Sequence, residues 1–295
     1  MSKTILVTGA GGQLGQCLKQ CAPDWPQFNF IFTDRGQLDI ADKAMTEAFF
    51  NKIATVDYCL NCAAYTAVDK AESEPKRAFA INRDGVAYLA EACRKRGVAL
   101  IHFSTDYVYG GHSNRPLTED DPVQPAGVYA QSKLEGERRA LQINPLTTVI
   151  RTSWVYSEFG HNFLKTMLRL GRERSELNVV FDQVGTPTYA GDLALAVLTM
   201  IEAVESGKTS RDLLSGIYHY SNEGVASWYD FAEAIFELAG LVVKVHPIET
   251  KDFPTPAARP AFSVLNKAKI KAAFGLEIAH WRVALVQANM RPPKF

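Results

Sequence analysis

A strand that runs straight into a glycine loop and then a helix leaves a chain few folds to choose from, and this chain opens on one. Thr4-Ile-Leu-Val-Thr-Gly-Ala-Gly-Gly-Gln-Leu-Gly15 starts with the apolar run Ile5-Leu6-Val7. A short run that is apolar at every position suits a strand covered on both faces, as in a parallel sheet. Gly9, Gly12 and Gly15 follow at three-residue spacing, and Leu14 and Leu18 then lie one helical turn apart. Glycine lets the backbone take φ > 0 and lets a phosphate approach with no Cβ in the way. The helix start offers that phosphate unpaired N–H groups and the positive end of a dipole. The stretch predicts a nucleotide-phosphate site; the alternative is an ordinary glycine-rich turn.

The rest of the first half repeats the strand-helix alternation. Asn29 to Asp34 reads as the second strand, with Asp34 at its carboxyl end. An acid there can accept from adenosine ribose hydroxyls, which favours NAD. Arg35 follows directly and can pair with a 2′-phosphate, which favours NADP. The plain alternative for Asp34 is a turn residue. Asp39 either caps a helix from about Asp42 to Lys52 or contacts the adenine. Val56 to Ala64 reads as the fourth strand and its exit, where Ala63 and Ala64 are small enough to let a cofactor pass closely. A helix is expected from about Glu74 to Arg96. Asn82 on it is polar among Phe79, Ala80, Val86 and Leu89, and either bridges to the sheet or faces solvent. Val98 to Thr105 reads as the fifth strand, with His102 a core histidine rather than a ligand. Val128 to about Gln142 is helical, Thr147 to Arg151 is a sixth strand, and Trp154 lies just past it.

This alternation predicts an α/β fold with a Rossmann-type doubly wound parallel sheet. Ligands of such sheets sit beyond the carboxyl ends of the strands. Gly9, Asp34, Ala63, Thr105 and Trp154 all fall there. After Tyr156 the pattern is less regular, with helices at 162–174, 189–205 and 228–239, short strands at 177–181 and 216–221, and a loop marked by Pro254, Pro256 and Pro260. The expected division is a dinucleotide-binding domain at 1–156, with 182–206 returning to it, and a smaller interleaved substrate lid at 157–181 and 207–295.

Several function classes are disfavoured. Lys plus Arg and Asp plus Glu both number 32, without basic blocks, so no nucleic-acid or anionic-membrane surface is expected. The apolar stretch Leu193 to Ile201 is bounded by Asp192 and Glu202 and is far too short for a bilayer. No secretion signal is read before the first strand, and the five cysteines are an odd count, so a cytoplasmic protein with reduced thiols is expected. Cys59-Leu-Asn-Cys62 sits in an apolar run and reads as core thiols rather than a metal or redox pair.

Tyr129 and Lys133, four residues apart, share a helix face. In a carbonyl reductase such a tyrosine gives a proton to the carbonyl oxygen as hydride reaches the carbon. A free phenol has a pKa of about 10, too high for easy transfer at neutral pH. An ammonium about 5 Å away, at an effective dielectric near 20, stabilises the phenolate by about 3 kcal/mol, or roughly two pKa units. Thr105, at a strand's carboxyl end, can bond the same carbonyl. The alternative is a surface lysine pairing with Glu137.

Taken together, Thr8-Gly-Ala-Gly-Gly-Gln-Leu-Gly15, Asn61-Cys-Ala-Ala-Tyr-Thr-Ala-Val-Asp69, Phe103-Ser-Thr-Asp-Tyr-Val-Tyr-Gly110, Tyr129-x-x-x-Lys133 and Arg151-Thr-Ser-Trp-Val-Tyr156 resemble the dTDP-4-dehydrorhamnose reductases, a branch of the extended short-chain dehydrogenase/reductases. Asp182-Gln-Val-Gly-Thr-Pro-Thr188, Tyr220-Ser-Asn-Glu-Gly224 and Ala258-Arg-Pro-Ala-Phe-Ser263 carry the resemblance through the second half. It implies reduction of the C4 keto group of dTDP-4-dehydro-L-rhamnose, the last step to activated rhamnose for surface polysaccharide. NADPH is the expected cofactor, with NADH also used. The implied catalytic set is Thr105, Tyr129 and Lys133. Gly9, Gly11, Gly12, Gln13, Leu14, Gly15, Asp34, Arg35, Asp39, Ile40, Ala63, Ala64, Tyr65 and Lys133 would line the cofactor. Thr105, Asp106, Tyr129 and Trp154 would meet the sugar. Arg259 and Lys165 are diphosphate candidates by charge alone.

Some members of that family dimerise through Mg²⁺ held by acids. Here the first helix carries Gln13 and Gln16, Gly191 precedes Asp192, and the tail Met290-Arg-Pro-Pro-Lys-Phe295 has no acid. A hard cation needs oxygen ligands, preferably carboxylates. No metal site is therefore expected, and the chain is expected to be a monomer or weak homodimer. Two other readings share these motifs: a reductase of another nucleotide-4-ketosugar, such as the talose epimer, and a non-catalytic regulatory subunit.

Overall fold

The computed structural model describes residues 2–111 and 113–290; the tail from Arg291 to Phe295 lies outside them. The first strand, β1 (Lys3–Thr8), shows why the sheet is covered twice. Successive side chains point to opposite faces. Ile5 and Val7 join one core with Leu14, Leu18 and Leu193, whereas Leu6 joins another with Phe50, Leu89 and Leu100. The helices supplying these cores are α1 (Gln13–Cys21), α2 (Lys43–Lys52) and, farther along, the helices of the β3–β4 crossover and of the 190s. The parallel strands β2 (Phe28–Thr33) and β3 (Tyr58–Asn61) flank β1.

No strand forms between β2 and β3, so the strand expected as the fourth is the third. Leu38-Asp39-Ile40 is a turn into α2, whose cap is Asp42 rather than Asp39, its carboxylate accepting from Met45 N at 3.0 Å. After the short α3 (Val68–Ala71), the helix expected from Glu74 to Arg96 runs from Pro75 to Lys95 as α4 (Pro75–Phe79), a π-turn over Ala80–Gly85, and α5 (Val86–Lys95). Then come β4 (Ala99–Thr105), α6 (Gly127–Ile143) and β5 (Thr147–Thr152).

Beyond β6 (Val155–Tyr156), α7 (Phe163–Glu173) is capped by Asn162, and β7 (Glu176–Val180) follows. The Gly185-Thr-Pro-Thr188 segment is framed by β8 (Val184–Gly185) and β9 (Thr188–Tyr189). The helix α8 (Ala190–Glu205) returns to pack beside α1. Next, β10 (Gly216–His219) pairs with β5 as the sixth parallel strand, so this part of the 207–295 segment belongs to the large sheet. The sheet order is β10-β5-β4-β3-β1-β2. The order reverses between β1 and β3, and the glycine loop sits at that switch point, where ligands of open α/β sheets bind. The remaining elements are β11 (Ala226–Ser227), α9 (Trp228–Ala239), β12 (Lys244–Ile248), α10 (Ala268–Phe274) and α11 (Trp281–Met290). Helices α7, α9 and α11 and the pair β7–β12 build a third core around Met167, Leu177, Phe231 and Trp281.

Two buried polar joints lock α6 to the sheet. The Arg151 guanidinium on β5 is bidentate on Glu137, with Nη2 to Oε2 at 2.7 Å, and both residues are buried. Asn82, fully buried in the π-turn, accepts from Tyr65 N at 2.8 Å and donates to Tyr65 O and Ser132 Oγ, each at 3.0 Å. It therefore bridges inward. The π-turn brings the Asn82 carbonyl so close to Gly136 that a Cβ there would collide with it. Gly136→Ala is expected to lower stability by about 1–3 kcal/mol through overpacking, read as a lower urea midpoint at unchanged slope.

Candidate active site

The glycine loop is built by close backbone approach. Gly9 has φ +63°, and a Cβ on it would lie 2.6 Å from Ala63 N at the exit of β3. Gly12 caps α1 without a side-chain bond, which leaves the first N–H groups of the helix open to an anion. A groove of about 360 Å³ runs from this loop past Arg35, Asp39, Ile40, Ala63, Ala64 and Tyr65. Through Gly12, Cys62 and Ala64 it meets a second cavity of about 600 Å³. That cavity holds Gln13, Leu14, Thr105, Asp106, Tyr129, Lys133 and Trp154 together.

Three expected cofactor residues do not line either space. Gly11 is at the exposed loop tip, and Gly15 is buried in α1 beneath Ala10, where a Cβ would meet Ala10 Cα at 2.6 Å. Asp34 is spent locally: its Oδ1 accepts from Gly36 N at 2.9 Å and Gln37 N at 3.1 Å. Short acids at strand ends often make this turn. Arg35, 70 % exposed, faces the groove instead, with Nε on Asp39 Oδ2 at 2.8 Å. Of the diphosphate candidates, Arg259 lines a larger cavity of about 1090 Å³ and is paired with Asp69 at 2.7 Å. Lys165 lines neither this cavity nor the 600 Å³ one, and its Nζ donates to Glu158 O at 3.2 Å.

Burial dominates the electrostatics. The Tyr129 phenol is pushed up to about 12, first by burial, with the Asp106 carboxylate adding to this and a hydrogen bond with Thr105 opposing it. The lowering expected from Lys133 does not act here. The Lys133 ammonium donates to Phe103 O at 2.6 Å and lies 3.5 Å from His102 Nε2. Burial brings it down to about 8, against the pull of Glu137. Asp106, fully buried, is pushed up to about 6 by burial, while hydrogen bonds from Ser263 and Thr105 pull it down. Its Oδ1 accepts from Thr105 Oγ1 at 3.0 Å, and its Oδ2 has no hydrogen-bond partner among the described residues. A buried carboxylate oxygen without a partner, on a residue that lines a cavity, still lacks a donor such as a hydroxyl.

Sequence reasoning missed the residues behind the site. Asn61 at the end of β3 accepts from Thr8 Oγ1 at 2.7 Å and reaches His102 Nδ1 at 3.1 Å. A polar residue closing an apolar strand was the available signal. Trp228 also lines the site, and only its place after the helix cap Ser227 marked it. Among the described residues no group of three or more His, Cys, Asp or Glu converges as a metal site would, and no helix is long and apolar enough to cross a membrane.

The family model described as the RmlD substrate binding domain matches residues 3–291. The chain belongs to this family. It is 43% identical over 287 residues to the dTDP-4-dehydrorhamnose reductase of Aggregatibacter actinomycetemcomitans, covering 95% of this chain and 96% of that one. Against the same-named protein of Sinorhizobium fredii it is 46% identical over 281 residues, covering 94% and 93%. The dTDP-4-dehydrorhamnose reductase structure from Bacillus anthracis, in complex with NADP, superposes with a TM-score of 0.91 at 35% identity, covering 98% of this chain and 99% of that one.

The two shifted groups set a pH window. Asp106 is a carboxylate only above about 6, and Lys133 is charged only below about 8. For a carbonyl reduced in this cavity, kcat/KM is expected to fall on the acid side as Asp106 takes a proton and on the alkaline side as Lys133 loses one. A pH profile of Asp106→Asn is expected to lack the acid limb and keep the alkaline one.

Proposed function

We propose that this chain is an NADPH-dependent ketoreductase that converts dTDP-4-dehydro-L-rhamnose to dTDP-L-rhamnose in activated-rhamnose biosynthesis. One observation carries the reading: Thr105, Asp106, Tyr129, Lys133 and Trp154 share one cavity, and that cavity opens into the groove of the glycine loop. The groove suits a dinucleotide, because the cradle between Gly9 and Ala63 is one that a Cβ would fill and the α1 start is uncapped. Gly9 and Gly12 would receive the pyrophosphate, and Ile40, Ala63, Ala64 and Tyr65 would wall the adenosine. When bound, NADPH supplies the hydride.

The chain's own residues do the rest. Thr105 Oγ1 and the Tyr129 phenol hold the ketone oxygen, and Tyr129 gives it the proton. A phenol held near 12 stays protonated until charge develops on that oxygen. Asp106 Oδ2 accepts from a sugar hydroxyl, and Trp154 walls the ring. Lys133, held by the Phe103 carbonyl, would hold the nicotinamide ribose. We assign 1–156 with 182–206 to the dinucleotide side, joined there by β10, and the remainder to the substrate lid. The working state is a cytoplasmic monomer or weak homodimer.

Purified protein with NADPH and the 4-ketosugar is expected to consume the nicotinamide absorbance and to yield dTDP-L-rhamnose by NMR; a talose product would redirect the assignment. Tyr129→Phe is expected to lose about 10²–10⁴-fold in kcat, the usual worth of general acid catalysis, with NADPH binding nearly unchanged. Turnover at the wild-type rate would refute the proton-donor role. Arg35→Ala is expected to weaken NADPH by about tenfold, the loss of one charge-assisted pair of about 1.4 kcal/mol, and to leave NADH untouched in a competition titration.

A further inference from the structure

Trp154 is held in a conformation it would not adopt alone. Its φ is +47°, the one positive value at a non-glycine residue among the described residues. Such a residue persists only where its surroundings over-determine it. Here its ring lies flat on Trp228, with centroids 3.6 Å apart and planes 8° from parallel. Gly185 makes room, since a Cβ there would lie 2.7 Å from Trp154 Cε2. The Trp154 carbonyl accepts from Thr188 N at 3.1 Å.

Trp228 is itself pinned. It opens α9 behind the capping box of Ser227 and Asp230. Its Nε1 donates to Gln183 Oε1 at 3.2 Å, Gln183 Nε2 donates to Thr250 Oγ1 at 3.1 Å, and Thr250 Oγ1 donates to Asp182 Oδ1 at 2.6 Å. Trp228 lines both the 600 Å³ cavity and the 1090 Å³ cavity, whereas Trp154 lines only the smaller.

We propose that Trp228 is a positioning residue: from the threshold between the two cavities it sets the angle of the Trp154 indole, and through it the approach of the ketone to Thr105 and Tyr129. The proposal rests on the ketoreductase reading above. A misplacement of about 1 Å costs about 10²-fold in rate. Loosening the Trp154 ring therefore lowers kcat more than it weakens nucleotide binding.

The test compares the full-length wild type with Trp228→Ala, Trp228→Phe and Trp154→Phe. Two stacked indoles give an exciton couplet in circular dichroism, expected in the wild type and lost in all three variants while NADPH binding persists. With NADPH and the 4-ketosugar, Trp228→Ala is expected to lose about 10- to 100-fold in kcat with KM little changed. Trp228→Phe, which keeps a flat ring beneath Trp154, recovers most of it. Should Trp228→Ala fail to bind NADPH, Trp228→Leu takes its place with the same expectation. Wild-type kcat without the couplet overturns the proposal, as does a rise in KM alone, or a Phe variant as slow as the Ala variant. A wild type that does not reduce this sugar refutes the ketoreductase reading instead. The stack is then judged with dTDP-L-rhamnose as probe: a couplet that shifts on its binding supports the positioning role, and an unmoved couplet overturns it.

Discussion

A parallel sheet delivers all its strand ends to one edge, and the polar groups stranded there must find partners or cost about 1–3 kcal/mol each. In this protein one row of bonds answers that demand. It runs from Thr8 on β1 through Asn61 on β3 to His102 on β4, and Lys133 on α6, 3.5 Å from His102 Nε2, donates to the Phe103 carbonyl beside it. The lysine of the candidate catalytic set thus sits at the end of a structural chain that starts beneath the glycine loop. Asn82 makes a second stitch, from the β3 exit to Ser132, beside Lys133. The bonds that finish the sheet's edge are the bonds that aim the site.

The same burial that makes these bonds valuable shapes the acid–base properties. Asp106 is moved up, Lys133 down and Tyr129 up, each toward its neutral form. Desolvation disfavours whichever form is charged. Each group then keeps a charge only against burial, and the opposing hydrogen bonds from Thr105 and Ser263 and the charge of Glu137 decide how far it shifts. A substrate hydroxyl on Asp106 Oδ2 would supply the one bond that carboxylate still lacks among the described residues.

The order of elements in the first half was legible because each covered strand is a short apolar run and each helix has a polar cap or an apolar stripe. The motif residues gathered as the pattern implied, since strand ends in a parallel sheet have nowhere else to go. Asp34 was misleading because an acid after a strand serves a ribose and a tight turn equally well, and only backbone geometry separates them. The segment around Leu38 is a connection, as Asp34, Asp39 and Asp42 draw it into successive side-chain-to-backbone turns. The partner of Lys133 was illegible too: helical spacing says which face a side chain leaves from, not which carbonyl beyond it is unpaired. Trp228 lies 74 positions from Trp154, and no local pattern joins residues that meet only after α7 and α9 have packed.

The Arg151–Glu137 pair restricts the ways this chain can change with time. Either charge left alone in that interior would cost about 3–5 kcal/mol, a large share of the stability an ordinary domain possesses. Arg151 also donates to the Tyr109 hydroxyl, which meets His219 Nε2 on β10, so the pair is tied to two further positions. Descendants of this sequence therefore cannot drift at 137 or 151 one step at a time. They must replace both together, or first acquire stability elsewhere, and the helix that carries Tyr129 and Lys133 stays anchored while the surface around it diverges.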